Sequence, residues 1–342
     1  MSFRRFVYLV TDDAKRHRNF LLRRIDMSRF FFPKRERDRL RTAPPPMEEG
    51  RLPPATMKFD LPTSNAGVGY MNFMLFAGGD SGRNHKVVAT DITGCALLFD
   101  PESPSIRSLP SLTAPKFAPV SLTVGNNLYI LDTNFTLKNH RNHCFDGYLY
   151  DGDWYCHSLP PPPYVRPYDL CTYHGIGHVD SYAVVDGNIW ISKADLGTHS
   201  FNIASGLWTK AGDWVLPFFG HAHYVPEHKL WFGLSYGDND GEECDGSICA
   251  SNLTVTPPTA INMWSDVTSP QWTNKSSYLV HLGHSRFCHA SFFDIRRPCD
   301  VNSTSYVVLS GIEIEEAGGQ LCVVKHRSEK CSLVNKLLHW LL

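Results

Sequence analysis

Pairs of short apolar runs joined by tight turns recur along this chain, and they restrict its possible folds more than any other feature. In SYAVVDGNIWIS, residues 181–192, two runs of β-forming residues flank Asp186-Gly187-Asn188. Glycine accepts the positive φ that a tight hairpin turn requires, so Asp-Gly between such runs predicts a β-hairpin. A second hairpin follows in THSFNIASGLW, residues 198–208, with its turn at Ala204-Ser205-Gly206. Together they predict one small sheet of four antiparallel strands.

The same order of hairpins recurs elsewhere in the chain. Equivalent segments are residues 96–110, 118–132, 146–160, 221–235 and, more loosely, 247–267. Leu-Pro closes three of the units, at Leu109-Pro110, Leu159-Pro160 and Leu216-Pro217. A period of roughly 40–55 residues with four strands per unit is typical of a β-propeller. We therefore predict an all-β propeller of about six four-stranded blades.

The strand-like runs are apolar at successive positions rather than at alternate ones. LYILD and IWIS are examples. A strand with one wet face alternates, whereas a strand covered on both faces has no need to. Blades packed face to face around an axis cover both faces of their inner strands, so this pattern supports the propeller prediction.

We interpret residues 1–335 as a single propeller followed by an apolar tail, residues 336–342. Residues 1–32 contain two strand-like runs that predict an N-terminal hairpin, which would close the ring by sharing a blade with the last strands. Residues 33–56 are a basic and proline-rich connection, and residues 238–277 are interpreted as a loop insert. Toward the C-terminal end, Leu333, Leu337 and Leu341 recur at helical spacing, which predicts a short C-terminal helix docked on the propeller.

Charge is unevenly distributed along the chain. Residues 1–42 hold thirteen Lys and Arg against five Asp and Glu, and the densest part is Lys34–Arg41. This run has two interpretations, a nuclear-import or nucleic-acid patch and a solvated linker, and the acids that interrupt it favour the linker. The remainder of the chain is acidic, which argues against a nucleic-acid partner.

The N-terminus holds only a short apolar run before two aspartates, too short for a signal-peptide core. No stretch approaches the ~18 apolar residues of a membrane span. The ten cysteines are scattered singly, which favours reduced thiols once a secretory signal is missing. We therefore expect a protein that is not secreted, has no membrane partner and resides in the cytoplasm, the nucleus or both.

The repeats have the kelch arrangement, in which a hairpin precedes a "Tyr-Asp-Pro…Trp…Leu-Pro" segment. Here that segment reads LFDPESPSIRSLP, and Gly78-Gly79 matches the usual double glycine. More specifically, the chain resembles a plant family of kelch-like proteins of unknown function, expanded in the cereal grasses. The matching segments include DWYCHSLPPPPYV, SYAVVDGNIWIS and THSFNIASGLWTKAGDWVLPFFGHAHYVPEHKLWFG. The resemblance implies a propeller with no established activity and carries over no catalytic residue.

Enzyme motifs are sparse. Gly79-Asp80-Ser81-Gly82 is similar to the nucleophile motif of chymotrypsin-like proteases, but Arg83-Asn84 replaces its continuation and no histidine segment accompanies it. The patterns of phosphate-binding loops, nucleophile elbows and zinc proteases are missing from the sequence. We therefore expect no catalytic residue and no cofactor.

Histidines supply the candidate site residues. His221 and His223 are two apart, so a strand would point both rings to one face. His178 belongs to a Cys-x2-His-x3-His spacing, and His178, His221 and His289 recur near the starts of their units. The favoured interpretation is hydrogen bonding to neighbouring loops, with metal binding as the weaker alternative. Since first strands line the channel of a propeller, His178, His221, His223 and His289 are candidates for an interaction face at its mouth.

These observations predict a non-enzymatic, monomeric interaction module with an unidentified protein partner, because rigid strands holding variable loops suit recognition. Neither an F-box nor a BTB segment is recognisable in the sequence. The alternative is a ligand-binding, metal-binding or oxidase-type propeller enzyme that uses the histidines at the channel mouth.

Overall fold

The computed structural model describes residues 3–13, 19–33, 45–61, 70–78, 84–133, 143–165, 179–236, 246–264, 272–295, 304–333 and 339–342. Strands account for most of these residues, and the helical part is a single 3₁₀ turn, Met27–Phe30. The prediction of an all-β protein is therefore confirmed. Within the described ranges, no helix has the length and apolar character needed to cross a bilayer.

The strands, in chain order, are β1 (Phe6–Asp12), β2 (Asn19–Asp26), β3 (Glu48–Gly50), β4 (Met57–Asp60), β5 (Met71–Gly78), β6 (Asn84–Asp91), β7 (Ala96–Asp100), β8 (Ser105–Leu109), β9 (Val120–Val124), β10 (Asn127–Leu131), β11 (Phe145–Tyr150), β12 (Trp154–Ser158), β13 (Ser181–Val185), β14 (Asn188–Lys193), β15 (Gly197–Asn202), β16 (Leu207–Gly212), β17 (Phe219–Val225), β18 (Leu230–Leu234), β19 (Ile248–Ser251), β20 (Ile261–Trp264), β21 (Trp272–Gly283), β22 (Arg286–Ile295), β23 (Thr304–Ala317), β24 (Gln320–Ser332) and β25 (His339–Leu341).

The chain divides into two compact units, although the sequence indicated one domain. Unit 1 comprises Met1–Asp60, Pro217–Leu253 and Thr259–Leu342, and unit 2 comprises Leu61–Leu216 and Thr254–Pro258. Each unit is built from four-stranded antiparallel meanders, as the repeating hairpins predict.

In unit 2, the strands pair in chain order as β5 to β8, β9 to β12 and β13 to β16. The Asp-Gly turn joins β13 to β14 as predicted, because Asp186 and Gly187 take φ values of 49° and 74°. Positive φ at both central residues matches the right-handed twist of the paired strands.

The sheet β9–β12 of unit 2 is buried on both faces, which explains why its strands are apolar at successive positions. On β10, Leu128 and Ile130 pack with the side chains of the β5–β8 sheet. Tyr129 and Leu131 point the other way and pack with those of the β13–β16 sheet. Because alternate residues of a strand point to opposite faces, an uninterrupted apolar run is what two covered faces require.

Unit 1 contains three sheets. The first has the order β25-β1-β2-β4, the second is β17 to β20, and the third is β21 to β24 with β3 added beyond β24. In the first sheet the N-terminal hairpin β1–β2 pairs over seven residues, from Phe6 opposite Asp26 to Asp12 opposite Phe20. The C-terminal strand β25 completes that sheet by pairing with β1, with Val10 opposite Trp340.

The β21–β24 sheet of unit 1 also has two apolar faces. Leu279, Phe287 and Ile312 pack with residues of the β17–β20 sheet. Val280, Cys288 and Leu309 pack with residues of β1, β2 and β25. Two neighbouring sheets therefore share this one as a common partner.

Two segments differ from their sequence-based interpretation. The prediction of a C-terminal helix is wrong for the end of the chain, because His339–Leu341 is a strand. Residues 334–338 lie outside the described residues. A short apolar run is compatible with both a helix and a strand, and hydrogen bonding to β1 favours the strand here. Residues 238–277, interpreted as a loop insert, contain β19, β20 and the start of β21. β20 lies at the edge of its sheet and is partly exposed, so its strand carries polar residues and lacks a clear apolar pattern in the sequence.

The N-terminal hairpin takes a different neighbour from the one that the sequence suggests. It shares its sheet with β25, whereas β23 and β24 belong to the sheet that begins with β21. The connection of residues 33–56 contributes β3 to this β21–β24 sheet.

Candidate functional site

His221 and His223 lie together on β17, the first strand of its sheet. Their ring centroids are 4.1 Å apart, and both side chains are half-buried. The pairing of β17 with β18 shifts register between Phe219 and His223, where Gly220 takes a φ of 74°. A β-bulge of this kind redirects the side chains that follow it. The bulge therefore helps to bring the two imidazoles onto one surface.

A third histidine, His281 on β21, completes this group. Its ring centroid lies 6.3 Å from that of His223 and 5.0 Å from that of Phe287. The Nε2 atom of His223 is 2.8 Å from the carbonyl oxygen of Leu279 on the same strand as His281. Because a carbonyl only accepts, Nε2 carries the proton and Nδ1 is left as an acceptor. We call His221, His223 and His281 the histidine cluster.

The histidine cluster lies beside a buried cation. Arg4 donates from Nε to the carbonyl oxygen of Phe6 at 2.8 Å and from Nη2 to that of Leu342 at 2.7 Å. Burial lowers the pKa of its guanidinium to about 10, so Arg4 remains charged at neutral pH. This fixed positive charge opposes protonation of the nearby imidazoles.

All three imidazoles of the histidine cluster are neutral at pH 7. Burial, and then repulsion from His281 and Arg4, lowers the pKa of His223 to about 3. Burial and the charges of His284 and Arg4 lower the pKa of His281 to about 4. Burial and His223 hold the pKa of His221 well below its usual value. The cluster therefore presents hydrogen-bonding and aromatic groups without net charge.

The histidine cluster makes stability depend on pH. The folded-state pKa values lie below the unfolded value of 6.5, so the unfolded chain binds more protons between about pH 3 and pH 6.5. The stabilisation is fully present above pH 6.5 and is lost as pH falls through 4 toward 3. We expect the melting temperature to decrease over this window and to decrease less steeply in His281→Asn. If the melting temperature depends equally steeply on pH in wild type and variant, the histidine cluster is not the cause of the pH dependence.

His289, which the sequence groups with His221 and His223, lies elsewhere. It is on β22 with an exposed fraction of 1%, and its ring meets that of Trp264 edge-on at 5.6 Å. Gly246 packs closely beside this ring. A Cβ atom added to Gly246 would lie 3.6 Å from Nε2 of His289 and 3.2 Å from Oγ of Ser277. His289 is thus a core residue with no exposed face for a partner.

Several other candidates from the sequence lie outside the described residues. These are His178 with its neighbours Cys171 and His174, the Gly79-Asp80-Ser81-Gly82 motif and the basic run Lys34–Arg41. Among the residues that are described, no group of three or more His, Cys, Asp or Glu side chains has the geometry to hold a metal ion.

Sequence reasoning missed a buried ion pair in unit 2. Lys116 and Asp146 have exposed fractions of 0%, and Lys116 Nζ lies 2.6 Å from Asp146 Oδ2. Nζ also donates to the carbonyl oxygens of Ala114 and His143, both at 2.8 Å. The carboxylate accepts from the backbone N–H and the hydroxyl of Thr113. Every proton of the ammonium group thus has an acceptor, so this pair joins the loop before β9 to β11.

A second buried polar network, in unit 1, holds the segment after the 3₁₀ turn. Glu313 lies 3.0 Å from Nε2 of His326 and 3.3 Å from Nε of Arg286. The backbone N–H of Phe32 donates to Nδ1 of His326 at 3.2 Å, which places the imidazole proton on Nε2. With both ring nitrogens occupied, this histidine serves structure and has no free base to offer. No short motif identifies such a network, because its members are far apart in sequence.

The fold and the site together define an all-β protein of recurring four-stranded antiparallel sheets that carries a neutral histidine cluster on two first strands. The model of one family, a protein of unknown function designated DUF1668, matches residues 4–332. The chain therefore belongs to the DUF1668 family. Comparison with curated proteins finds none that matches it.

Proposed function

We propose that this protein is a kelch-like β-propeller of about six blades that acts as a non-enzymatic interaction module for another protein. Each unit supplies three meandering sheets, and the sheets β9–β12 and β21–β24 have cores on both faces. Pairing of β25 with β1 supports a ring closed by the two ends of the chain. The kelch-like plant family named by the sequence resemblance remains part of this proposal.

The observation that carries the proposed interaction is the preorganised histidine cluster. Imidazole rings have few rotatable bonds, so a partner that contacts them loses little side-chain entropy on binding. The contacts of His223 with Leu279 and of His281 with Phe287 hold two of the rings in place before any partner arrives. Because the rings are neutral, they bind polar backbone and aromatic groups without the desolvation cost of a charge. The half-buried rings of β17 and β21 thus form the interaction face that we propose.

The proposed interaction face is tested by proximity labelling in cells with a biotin ligase fused to the full chain. We expect His221→Ala combined with His281→Ala to lose the proteins labelled specifically by wild type. The matched control is His157→Ala, an exposed histidine on β12 that should leave labelling unchanged. An unaltered set of labelled proteins in the double variant would contradict the assignment of this face.

Metal binding at the same residues is the competing outcome. Neutral imidazole is the form that ligates metals, and the depressed pKa values provide it. Elemental analysis of purified protein distinguishes the two functions. Stoichiometric copper or zinc that disappears in His221→Ala would replace the interaction proposal with a metal-binding one.

A further inference from the structure

The short strand β3 binds to the outer edge of β24 in an unusual way for this chain. It pairs in parallel, with Glu48 opposite Glu329, Glu49 opposite Lys330 and Gly50 opposite Cys331. The other strand pairs described within the two units are antiparallel. β3 instead reaches its position as an added strand, which is how extended peptides bind to exposed sheet edges.

Two basic residues of β24 face the acidic residues of β3. Nε of Arg327 lies 3.2 Å from Oε1 of Glu48, and Nζ of Lys330 lies 2.7 Å from Oε1 of Glu49. Lys330 Nζ is also 5.7 Å from the ring centroid of Trp272 and 5.1 Å from that of Tyr306. The two rings orient this ammonium group toward the added strand. Charge complementarity therefore selects acidic side chains at both positions.

The third position accepts only glycine. A Cβ atom at Gly50 would lie 2.8 Å from Sγ of Cys331 and 3.0 Å from Oε2 of Glu329. Glu329 cannot move away freely, because Arg29 Nη2 binds the same carboxylate oxygen at 2.7 Å. The edge of β24 thus matches the pattern acidic, acidic, glycine in an extended segment that runs parallel to it.

The attachment of β3 is weak in itself. The side chains of Glu48 and Glu49 are 51% and 77% exposed, and ion pairs so exposed contribute little to stability. The segment is tethered to the sheet by the chain, which raises its local concentration to the millimolar range. A separate peptide can take its place if it makes additional contacts along the edge.

Among the described residues, β3 pairs with only a short part of β24. β24 runs over thirteen residues, from Gln320 to Ser332, and β3 pairs only with Glu329 to Cys331. A longer parallel strand would extend from its N-terminal end toward Gln320. In this chain that direction begins with Met47 and then Pro46 and Pro45, and proline has no N–H to donate to a ladder. The prolines therefore end the added strand, whereas β24 itself continues back to Gln320.

We propose that the outer edge of β24 binds an extended acidic segment of a partner protein by strand addition, in the place that Glu48–Gly50 occupies. The partner segment has two successive acidic residues opposite Glu329 and Lys330, where their carboxylates reach Arg327 and Lys330, a glycine opposite Cys331 and a proline-free β-forming stretch before them. Lys325, whose Nζ lies 5.3 Å from the ring centroid of Trp264, adds further positive charge along the same strand. None of these residues belongs to the histidine cluster, so this inference and the proposed interaction face fail or succeed independently.

The experiment uses the full chain and fluorescent peptides. The probe peptide is TVTVMEEGR, which keeps the Glu-Glu-Gly pattern and replaces the prolines, and the control peptide is TVTVMKKGR. The variant Glu48→Lys with Glu49→Lys is designed to release β3 by charge repulsion from Arg327 and Lys330, and we expect it to fold because both positions are exposed. We expect this variant to bind the probe at least about tenfold more tightly than wild type does, with affinity that falls as salt rises.

Two further variants test whether release of β3 and the charge of β24 determine peptide binding. Gly50→Val releases β3 sterically and should also bind the probe, whereas Arg327→Glu with Lys330→Glu should reject the probe and accept the control peptide. The proposal is overturned if neither released variant binds the probe more tightly than wild type, or if the two peptides bind equally. A wild-type dimer that dissociates in the Glu48→Lys, Glu49→Lys variant would assign the edge to a second copy of this chain instead.

Discussion

Replacing Asp146 by alanine is expected to lower the free energy of unfolding by about 3–5 kcal/mol. The substitution leaves the ammonium group of Lys116 buried with no counter-charge, and both side chains are inaccessible to water in the folded protein. It also removes the acceptor for the backbone N–H and hydroxyl of Thr113. Urea denaturation followed by tryptophan fluorescence measures the loss.

The matching control for Asp146→Ala is an ion pair of the same unit on the surface. Arg107 Nη2 lies 2.5 Å from Asp153 Oδ1, but these side chains are 55% and 59% exposed. Arg107→Ala is therefore expected to cost no more than about 1 kcal/mol. Combining Asp146→Ala with Lys116→Met should recover part of the loss, because the uncompensated charge is gone. A double variant less stable than Asp146→Ala alone would show that the buried charge is not the cause.

Replacing Leu341 by alanine is expected to lower the free energy of unfolding by about 2–5 kcal/mol. Leu341 is 6% exposed and packs in the core that β1, β2 and the β21–β24 sheet share. Its strand β25 is also held by His339, whose ring stacks on Phe292 with centroids 3.7 Å apart and whose Nε2 lies 2.6 Å from Oγ of Ser276. The same urea titration measures the effect.

The control for Leu341→Ala is Leu207→Ala, since the leucine at the start of β16 is 63% exposed. A surface substitution of this kind changes stability by about 0.5 kcal/mol or less. Hydrogen exchange adds a local measurement, because loosening of β25 should expose the amides of β1 that pair with it. Unchanged exchange in β1 of the Leu341→Ala protein would contradict the closing role of β25.

The sequence predicts those parts of the fold that depend on near neighbours. Asp186-Gly187 specifies its own turn, and the successive apolar residues of β10 indicate two covered faces. The strand β25 was not predictable in this way, because its partner β1 lies at the other end of the chain. Three leucines at helical spacing therefore indicated a helix where distant pairing decides for a strand.

The candidate site shows the same division. His221 and His223 are recognisable as a pair because they are two residues apart on one strand. His281 joins them only through packing of β17 beside β21, and His289 is drawn into the core by Trp264. Burial of Lys116 with Asp146 is equally hidden in the sequence, since their positions match no motif of charged residues.

We propose that the recurring four-stranded sheets form a ring, closed where β25 meets β1. A crystal structure of the full chain tests this most directly. We expect six sheets around one axis, with β5, β9, β13, β17, β21 and β25 as the innermost strands and Val10 opposite Trp340. Two sheets stacked as a sandwich, or a C-terminal strand paired anywhere other than with β1, would contradict it.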